Sequence, residues 1–275
     1  GIMGRIRYAP NPNNRQAIDM FYSGSIVPTG FVAQTLQNTA IFDYREKLLS
    51  GGQNHTFSAM HGQAVAAADV DFNTVANESA ATLTILNEYP MLVWAAGDDS
   101  STDDALNATE VTNLSAYLQG GGRLFLSGNE VAYDLARAGR PAADVAFVNN
   151  YLKATYGEDS SGNYDLVGTG SVQFGTAEFS FGGAGAGYLP GFPDVIAPAN
   201  GSETVLRYGN NKVAGVAYSG TFGSGSLPGR VMFIGFGFET LDGDADRADF
   251  MRRIFRSMAP EHAQPDGYLD IWMLR

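Results

Sequence analysis

The sequence predicts an α/β domain with a mostly parallel central sheet, and three observations carry that expectation. Met91-Leu92-Val93-Trp94-Ala95-Ala96 and Arg230-Val231-Met232-Phe233-Ile234-Gly235-Phe236 are nearly unbroken apolar runs. Runs of that kind belong to strands buried on both faces. Helix-spaced stripes fall between and after such runs, as in Val111, Leu114, Tyr117 and Leu118. The character then changes: from Gly157 to Gly191 there are ten glycines among short alternating patterns, the mark of antiparallel β structure with turns.

The elements follow in chain order. Residues 5–9 alternate like a strand and break at Pro10-Asn11-Pro12-Asn13-Asn14. Residues 40–49 read as a helix stopped by Gly51-Gly52. Residues 56–60 read as a short strand, and 79–88 as a helix ended by Pro90. After the apolar run at 91–96, Asn107 followed by Glu110 is a capping pair for the next helix, which Gly120-Gly121-Gly122 stops. Residues 123–127 form the next strand and 131–138 the next helix, making a βαβα unit with a right-handed crossover. An amphipathic helix is expected over 142–156, strands around 172–174 and 178–181, and a hairpin of 204–208 with 213–218. The last long helix carries Phe250, Met251, Ile254, Phe255 and Met258, with Asp242 or Asp244 as its cap. This reads as one α/β domain over 1–260, with a β insertion at about 157–220 and a C-terminal tail at 261–275.

Composition excludes several functions. The 275 residues contain no cysteine, so disulfides, thiolate metal sites and a Cys nucleophile are all ruled out. A net charge of −12, from 17 Lys and Arg against 29 Asp and Glu, argues against nucleic acid as a partner. No run of 18 apolar residues is present to span a membrane as a helix. No signal-peptide pattern is visible at the start. The absence of Cys, the abundance of Asn, Gly, Ser and Thr and the scarcity of Lys suit an exported bacterial protein, secreted or at the cell surface.

Ligands in open α/β sheets bind beyond the carboxyl ends of the strands. Three expected strands end in polar residues: Asp98 and Asp99, then Asn129 and Glu130, then Glu239. Should the strands be neighbours, Asp98, Asp99, Glu130 and Glu239 share one crevice, where they could work as acid and base or hold Ca²⁺ through hard oxygen ligands. Equally, Asp98 and Asp99 can simply open a loop, Glu130 can favour a helix N-terminus and Glu239 can be solvated. The layout strand–Ser127-Gly128-Asn129-Glu130–helix is that of a nucleophile elbow, but its tip is Asn129, which is no nucleophile, and Ser127 lies inside the strand. Of the three histidines, His55, His61 and His262, only His61 is placed to face the crevice as a base. The catalytic candidates are therefore Glu130, Glu239, Asp99 and His61. Tyr164, Phe174, Phe179, Phe181, Tyr188 and Phe192 crowd the β insertion, as stacking surfaces for sugar rings or as a small core.

Val93-Trp94-Ala95-Ala96-Gly97-Asp98-Asp99, the stretch from Leu114 through Gly120-Gly121-Gly122 to Ser127-Gly128-Asn129-Glu130, Asn150-Tyr151-Leu152, Phe192-Pro193-Asp194-Val195-Ile196 and Gly235-Phe236-Gly237-Phe238-Glu239 together resemble a class I glutamine amidotransferase-like domain of exported bacterial multidomain proteins, of the kind associated with xanthan-lyase-like and golvesin-like chains. The resemblance covers roughly residues 80–258. It implies a three-layer, flavodoxin-like sandwich, neighbouring domains in a larger chain and a carbohydrate setting. It also implies a Cys at the elbow and a His beside the later Glu; this sequence has Asn129 at the elbow and no His beside Glu239, so glutamine hydrolysis is not expected. The functional expectation is a non-catalytic binding or structural module, with a carboxylate-dependent hydrolase or lyase as the alternative. No cofactor beyond the candidate Ca²⁺ is expected.

Overall fold

The computed structural model describes residues 5–8, 40–43, 57–70, 72–76, 83–101 and 104–259. In chain order the elements are β1 (Arg5–Tyr8), β2 (Ala40–Asp43), α1 (Phe57–Ala67), β3 (Phe72–Ala76), α2 (Leu83–Leu86), β4 (Met91–Gly97), α3 (Ala108–Gln119), β5 (Arg123–Gly128), α4 (Val131–Ala136) and α5 (Ala142–Asn150). There follow β6 (Ala154–Glu158), β7 (Asp165–Gly168), β8 (Glu178–Ser180), β9 (Val195–Pro198), β10 (Glu203–Tyr208), β11 (Val213–Gly220), β12 (Gly229–Ile234), a 3-10 turn (Phe238–Thr240) and α6 (Gly243–Met258).

The fold is mixed α/β. Ten of the described strands form one sheet in the order β1-β3-β2-β4-β5-β12-β11-β10-β7-β8, and β6 pairs with β9 apart from it. The middle of the sheet is parallel: β2 pairs with β3 and β4, β4 with β5, and β5 with β12. Beyond β12 every pairing is antiparallel, so the glycine-rich region extends the main sheet through β11, β10, β7 and β8. The sheet as a whole is therefore less parallel than the sequence suggests.

Its central strands are covered on both faces. Because successive side chains point to opposite sides of a strand, β4 sends Met91 and Val93 into one core and Leu92 and Trp94 into another. Likewise β12 sends Met232 and Ile234 one way and Val231 and Phe233 the other. The first core is closed by α6 through Phe250, Met251, Ile254, Phe255 and Met258, with Val65 of α1. The second is closed by Leu114 and Leu118 of α3, Leu135 of α4 and Phe147 of α5. Full burial of each such side chain contributes about 1.5–3 kcal/mol before entropy is counted. Among the described residues no helix is long and apolar enough to cross a membrane.

Local signals explain the element ends. Asn107 Oδ1 accepts from the backbone N–H of Thr109 (2.9 Å) and Glu110 (3.1 Å), and Glu110 Oε2 accepts from Asn107 N (2.8 Å), a complete capping box for α3. The Tyr117 ring lies so close over Gly122 that a Cβ there would collide with it; its hydroxyl donates to Tyr89 O (3.0 Å). Asp242 is the cap residue of α6, but its side chain accepts from Gly183 N (2.6 Å) instead of capping.

Several expectations need correction. Residues 40–43 are strand β2, not the start of a helix, because pairing with β3 on one edge and β4 on the other satisfies the backbone along both sides. Residues 57–60 begin helix α1, where a strand was expected. Its buried residues include Phe57, His61, Ala64 and Val65, which have helical spacing, disguised by a histidine in the apolar stripe. The helix at 142 stops at Asn150; Lys153 turns the chain at φ 60°, and Ala154 starts β6. No strand covers 172–174, where Ser171 and Gly175 form an isolated bridge and Val172 is 95% exposed. The tail at 261–275 lies outside the described residues.

Candidate functional site

The carboxyl ends of β4, β5 and β12 lie side by side, since these strands are consecutive in the sheet. Asp98 and Asp99 follow β4, Asn129 and Glu130 follow β5, and Glu239 sits in the 3-10 turn after β12. Asn129 ties the three ends together. Its backbone N–H donates to Gly97 O (3.0 Å), and its side-chain Oδ1 accepts from Gly237 N (2.9 Å). Its Nδ2 donates to Asp98 Oδ1 (2.6 Å) and to the Tyr188 hydroxyl (3.1 Å). Tyr188 in turn donates to Glu239 Oε1 (2.8 Å). A Cβ on Gly237 would run into the Glu239 carboxyl and the Tyr188 hydroxyl, so the bond between them would have to shift to admit one.

Behind Glu239 stands His61, and both side chains are fully buried. His61 Nδ1 donates to Phe57 O one helical turn back (2.8 Å), which leaves Nε2 as a bare lone pair 3.8 Å from Glu239 Oε2. Burial pulls the imidazole down from 6.5 to about 4, and the Arg247 charge pushes the same way, so His61 is neutral at pH 7. Its ring packs on Phe238 at 4.7 Å between centroids. Tyr188 packs on Phe57 at 5.2 Å, and its phenol is raised well above the usual value, first by burial and then by the charge of Glu239.

Asp98 and Glu130 flank Asn129, one by a hydrogen bond and one as its neighbour in the chain. Asp98 is an exposed rim residue whose carboxyl, tucked against Asn129, is partly desolvated and held above the usual Asp value; the hydrogen bond from Asn129 opposes that rise. Glu130, half-buried, is also raised, by burial and by the charges of Asp159, Asp98 and Asp134, against a hydrogen bond with Ser100. Asp99 is buried, and its charge, like that of Asp98, reaches Tyr188. Among the described residues, no group of three His, Cys, Asp or Glu is placed to hold a metal ion. Ser127 is buried inside β5. His55 and His262 lie outside the described residues. Of the insertion aromatics, Phe174, Phe179 and Phe181 are core, whereas Tyr164 and Phe192 are exposed.

Sequence reasoning missed two supporting residues. Asp194, fully buried, caps α4 by accepting from Ala132 N (2.7 Å) and Tyr133 N (3.1 Å), a role the sequence offers to Glu130. Nothing local could have revealed it, since the cap comes from more than 60 residues downstream. Arg247 donates to Gly185 O (2.8 Å), to Leu241 O and to Asp244 Oδ1 (2.6 Å), pinning the glycine loop to α6. A lone Arg between Asp246 and Ala248 on a helix was a usable signal.

No family model matches the chain, and no curated protein matches it in sequence. Solved structures resemble it in fold. The N-terminal domain of mmIFT52 is 14% identical with a TM-score of 0.52, covering 84% of this chain and 100% of that one. The cold-adapted β-galactosidase from Rahnella sp. R3 is 15% identical with a TM-score of 0.51, covering 81% of this chain but only 31% of its own. A glutamine amidotransferase from Methylobacillus flagellatus is 13% identical over 82% of this chain and 77% of that one, and its TM-score of 0.44 is too low to carry an argument. At such identities the likeness establishes a fold of α/β type and nothing about activity.

Proposed function

We propose that this chain is a non-catalytic binding or structural module of a larger bacterial protein, secreted or held at the cell surface, that works on polysaccharide. In this reading it is a three-layer, flavodoxin-like relative of the class I glutamine amidotransferases, a single domain over 1–260 whose elbow no longer does chemistry. Its partners are neighbouring domains and a carbohydrate.

One observation supports the loss of catalysis above all others: the elbow tip is Asn129, and both ends of its amide are bonded inside the protein, to Gly237 on one side and to Asp98 and Tyr188 on the other. An amide is no nucleophile, and this one is held in place by the three strand ends it ties together. The carbohydrate setting draws on the fold likeness to a β-galactosidase, of which the matching portion is 31%, the size of a module beside a larger body. A screen of the protein against polysaccharides and peptidoglycan, with Ca²⁺ and with chelator, tests the reading. Retention of a glycan without release of reducing ends is expected; glutamine hydrolysis, or glycan cleavage, overturns it.

The alternative, a carboxylate-dependent hydrolase or lyase, has one observation in its favour: a buried neutral His61 beside Glu239, which hydrogen bonds through Tyr188 and Asn129 link to the exposed Asp98. Cleavage that Glu239→Gln abolishes, with folding retained, would favour it.

A further inference from the structure

We propose that the Tyr188 side chain is a built-in stopper in a binding site for a pyranose ring, and that a sugar hydroxyl takes over the seat of the phenol when the ring swings out. The inference rests on the carbohydrate reading above and assigns it a place in the fold.

Three observations converge on it. The first is the order of groups from solvent inward. Asp98 is exposed, Tyr188 is half-buried, and Asn129, Glu239 and His61 are fully buried. Tyr188 is therefore nearer the solvent than the Asn129 and Glu239 side chains that its hydroxyl bonds. It makes the contacts that a hydroxylated ring would make: the hydroxyl donates to the Glu239 carboxyl (2.8 Å), accepts from the Asn129 amide (3.1 Å), and the ring lies on Phe57.

The second observation is a buried polar atom that Tyr188 does not serve. His61 Nε2, on a side chain with no exposure, receives no hydrogen bond from any described residue, although it is held as an acceptor by the proton on Nδ1. A buried acceptor without a donor calls for an explanation. It faces the carboxyl that Tyr188 holds, at 3.8 Å. One phenol hydroxyl cannot reach both sides of that carboxyl; a ligand with neighbouring hydroxyls can give one to Glu239 and one to His61. Among the described residues Glu239 and His61 offer acceptors and the Asn129 amide a donor, a set that suits a partner carrying several hydroxyls.

The third is how the stopper is held. The backbone on either side is tethered: Gly182 N donates to Thr240 O (2.7 Å), Gly187 N to Glu239 O (2.9 Å), and the Tyr164 hydroxyl to Pro190 O (3.1 Å). Tyr188 itself is held by the two bonds of its hydroxyl and by Phe57. Rotation of this one side chain empties the seat while every backbone tether of the loop stays made.

The test measures binding of methyl galacto-, gluco- and mannopyranoside and of phenol by calorimetry, with the ¹⁵N signal of His61 Nε2 read in the same titrations. A site occupied by its own side chain weakens apparent affinity by the fraction of molecules that are open. Tyr188→Ala is therefore expected to bind at least one pyranoside about tenfold or more tightly than the native protein, to shift the His61 signal, and to lose both effects when combined with Glu239→Gln. A folded Tyr188→Ala that takes up phenol but no pyranoside, or a pyranoside that binds without moving His61, overturns the inference. Should Tyr188→Ala fail to fold, Tyr188→Phe decides: it keeps the ring and loses both hydroxyl bonds, so it must bind more tightly than the native protein, and equal binding overturns the inference. A native protein that retains polysaccharide with His61 unmoved, and Tyr188 variants that bind no better, overturn this inference alone; no glycan retained by any form overturns the carbohydrate reading as well.

Discussion

His61 is buried as a neutral base, and that makes it a source of acid sensitivity. In the unfolded chain it takes up a proton near 6.5; in the folded protein it resists until about 4. Between those values the unfolded state binds more protons, so stability contributed by this residue is complete above 6.5 and is lost as the pH falls towards 4. At about 1.4 kcal/mol per pKa unit, the loss reaches about 3 kcal/mol at the acid end. The raised carboxyls of Asp98 and Glu130 act in the opposite sense, because the folded state holds their protons longer. The His61 contribution is therefore isolated by difference. Urea unfolding of the native protein and of His61→Leu at a series of pH values should show the native curve falling more steeply over this interval, by about one proton; parallel curves would mean the histidine is not buried neutral.

At the scale of elements, the two caps described above differ in kind, and so do the expected costs of removing them. Asn107 caps α3 from its own first turn, at a site where Thr109 is exposed. Asn107→Ala should cost about 1 kcal/mol, the usual value for such a cap. Asp194 caps α4 from a distant strand entry, has no exposure, and stands beside Tyr208, whose hydroxyl donates to Asp194 O (2.7 Å). Asp194→Ala leaves two N–H groups without their acceptor and a hole in the packing, so a loss of about 2–4 kcal/mol is expected in chemical denaturation; equal costs for the two would contradict the difference in burial. The same contrast marks what the sequence made legible. The α3 capping box and the glycine stop are each written within a few residues, at the two ends of the helix, and could be read directly. So could β4, β5, β12 and the stripe of α6. α1 was hidden because His61 occupies a place where an apolar residue completes the pattern. β2 was hidden because its pairing partners, not its own residues, decide its conformation. Of the site, the strand-end residues were legible one by one, whereas Tyr188 was visible only as one aromatic among several and its bond to Glu239 was not visible at all.

For the molecule as a whole, the decisive fact is that β5 lies between β4 and β12, so that two cores share one sheet and the candidate site forms where three strands end together. That adjacency joins Arg123 to Arg230, more than a hundred residues apart, and no local pattern encodes it. It also predicts an uneven distribution of stability. Leu124, Phe125 and Leu126 of β5 have no exposure, are covered on both faces and are paired on both edges. β8 has three residues, pairs on one side only among the described strands, and alternates exposed and buried positions. Amides that open only with the whole fold exchange at the rate set by global stability, while those at a short edge exchange through local opening. Native-state hydrogen exchange should therefore find the β5 amides among the slowest, with rates that rise with denaturant as steeply as global unfolding. The β8 amides, Glu178–Ser180, should exchange at least about a hundredfold faster, the equivalent of about 2.7 kcal/mol, with little dependence on denaturant. Equal protection of β5 and β8 would mean that the antiparallel extension unfolds only with the parallel centre. In that case the site at the strand ends, with the Tyr188 loop that follows β8, would be as rigid as the core itself, and the swing of Tyr188 would have to be a side-chain motion within a closed fold, which is the form of opening that the tethers of the loop already favour.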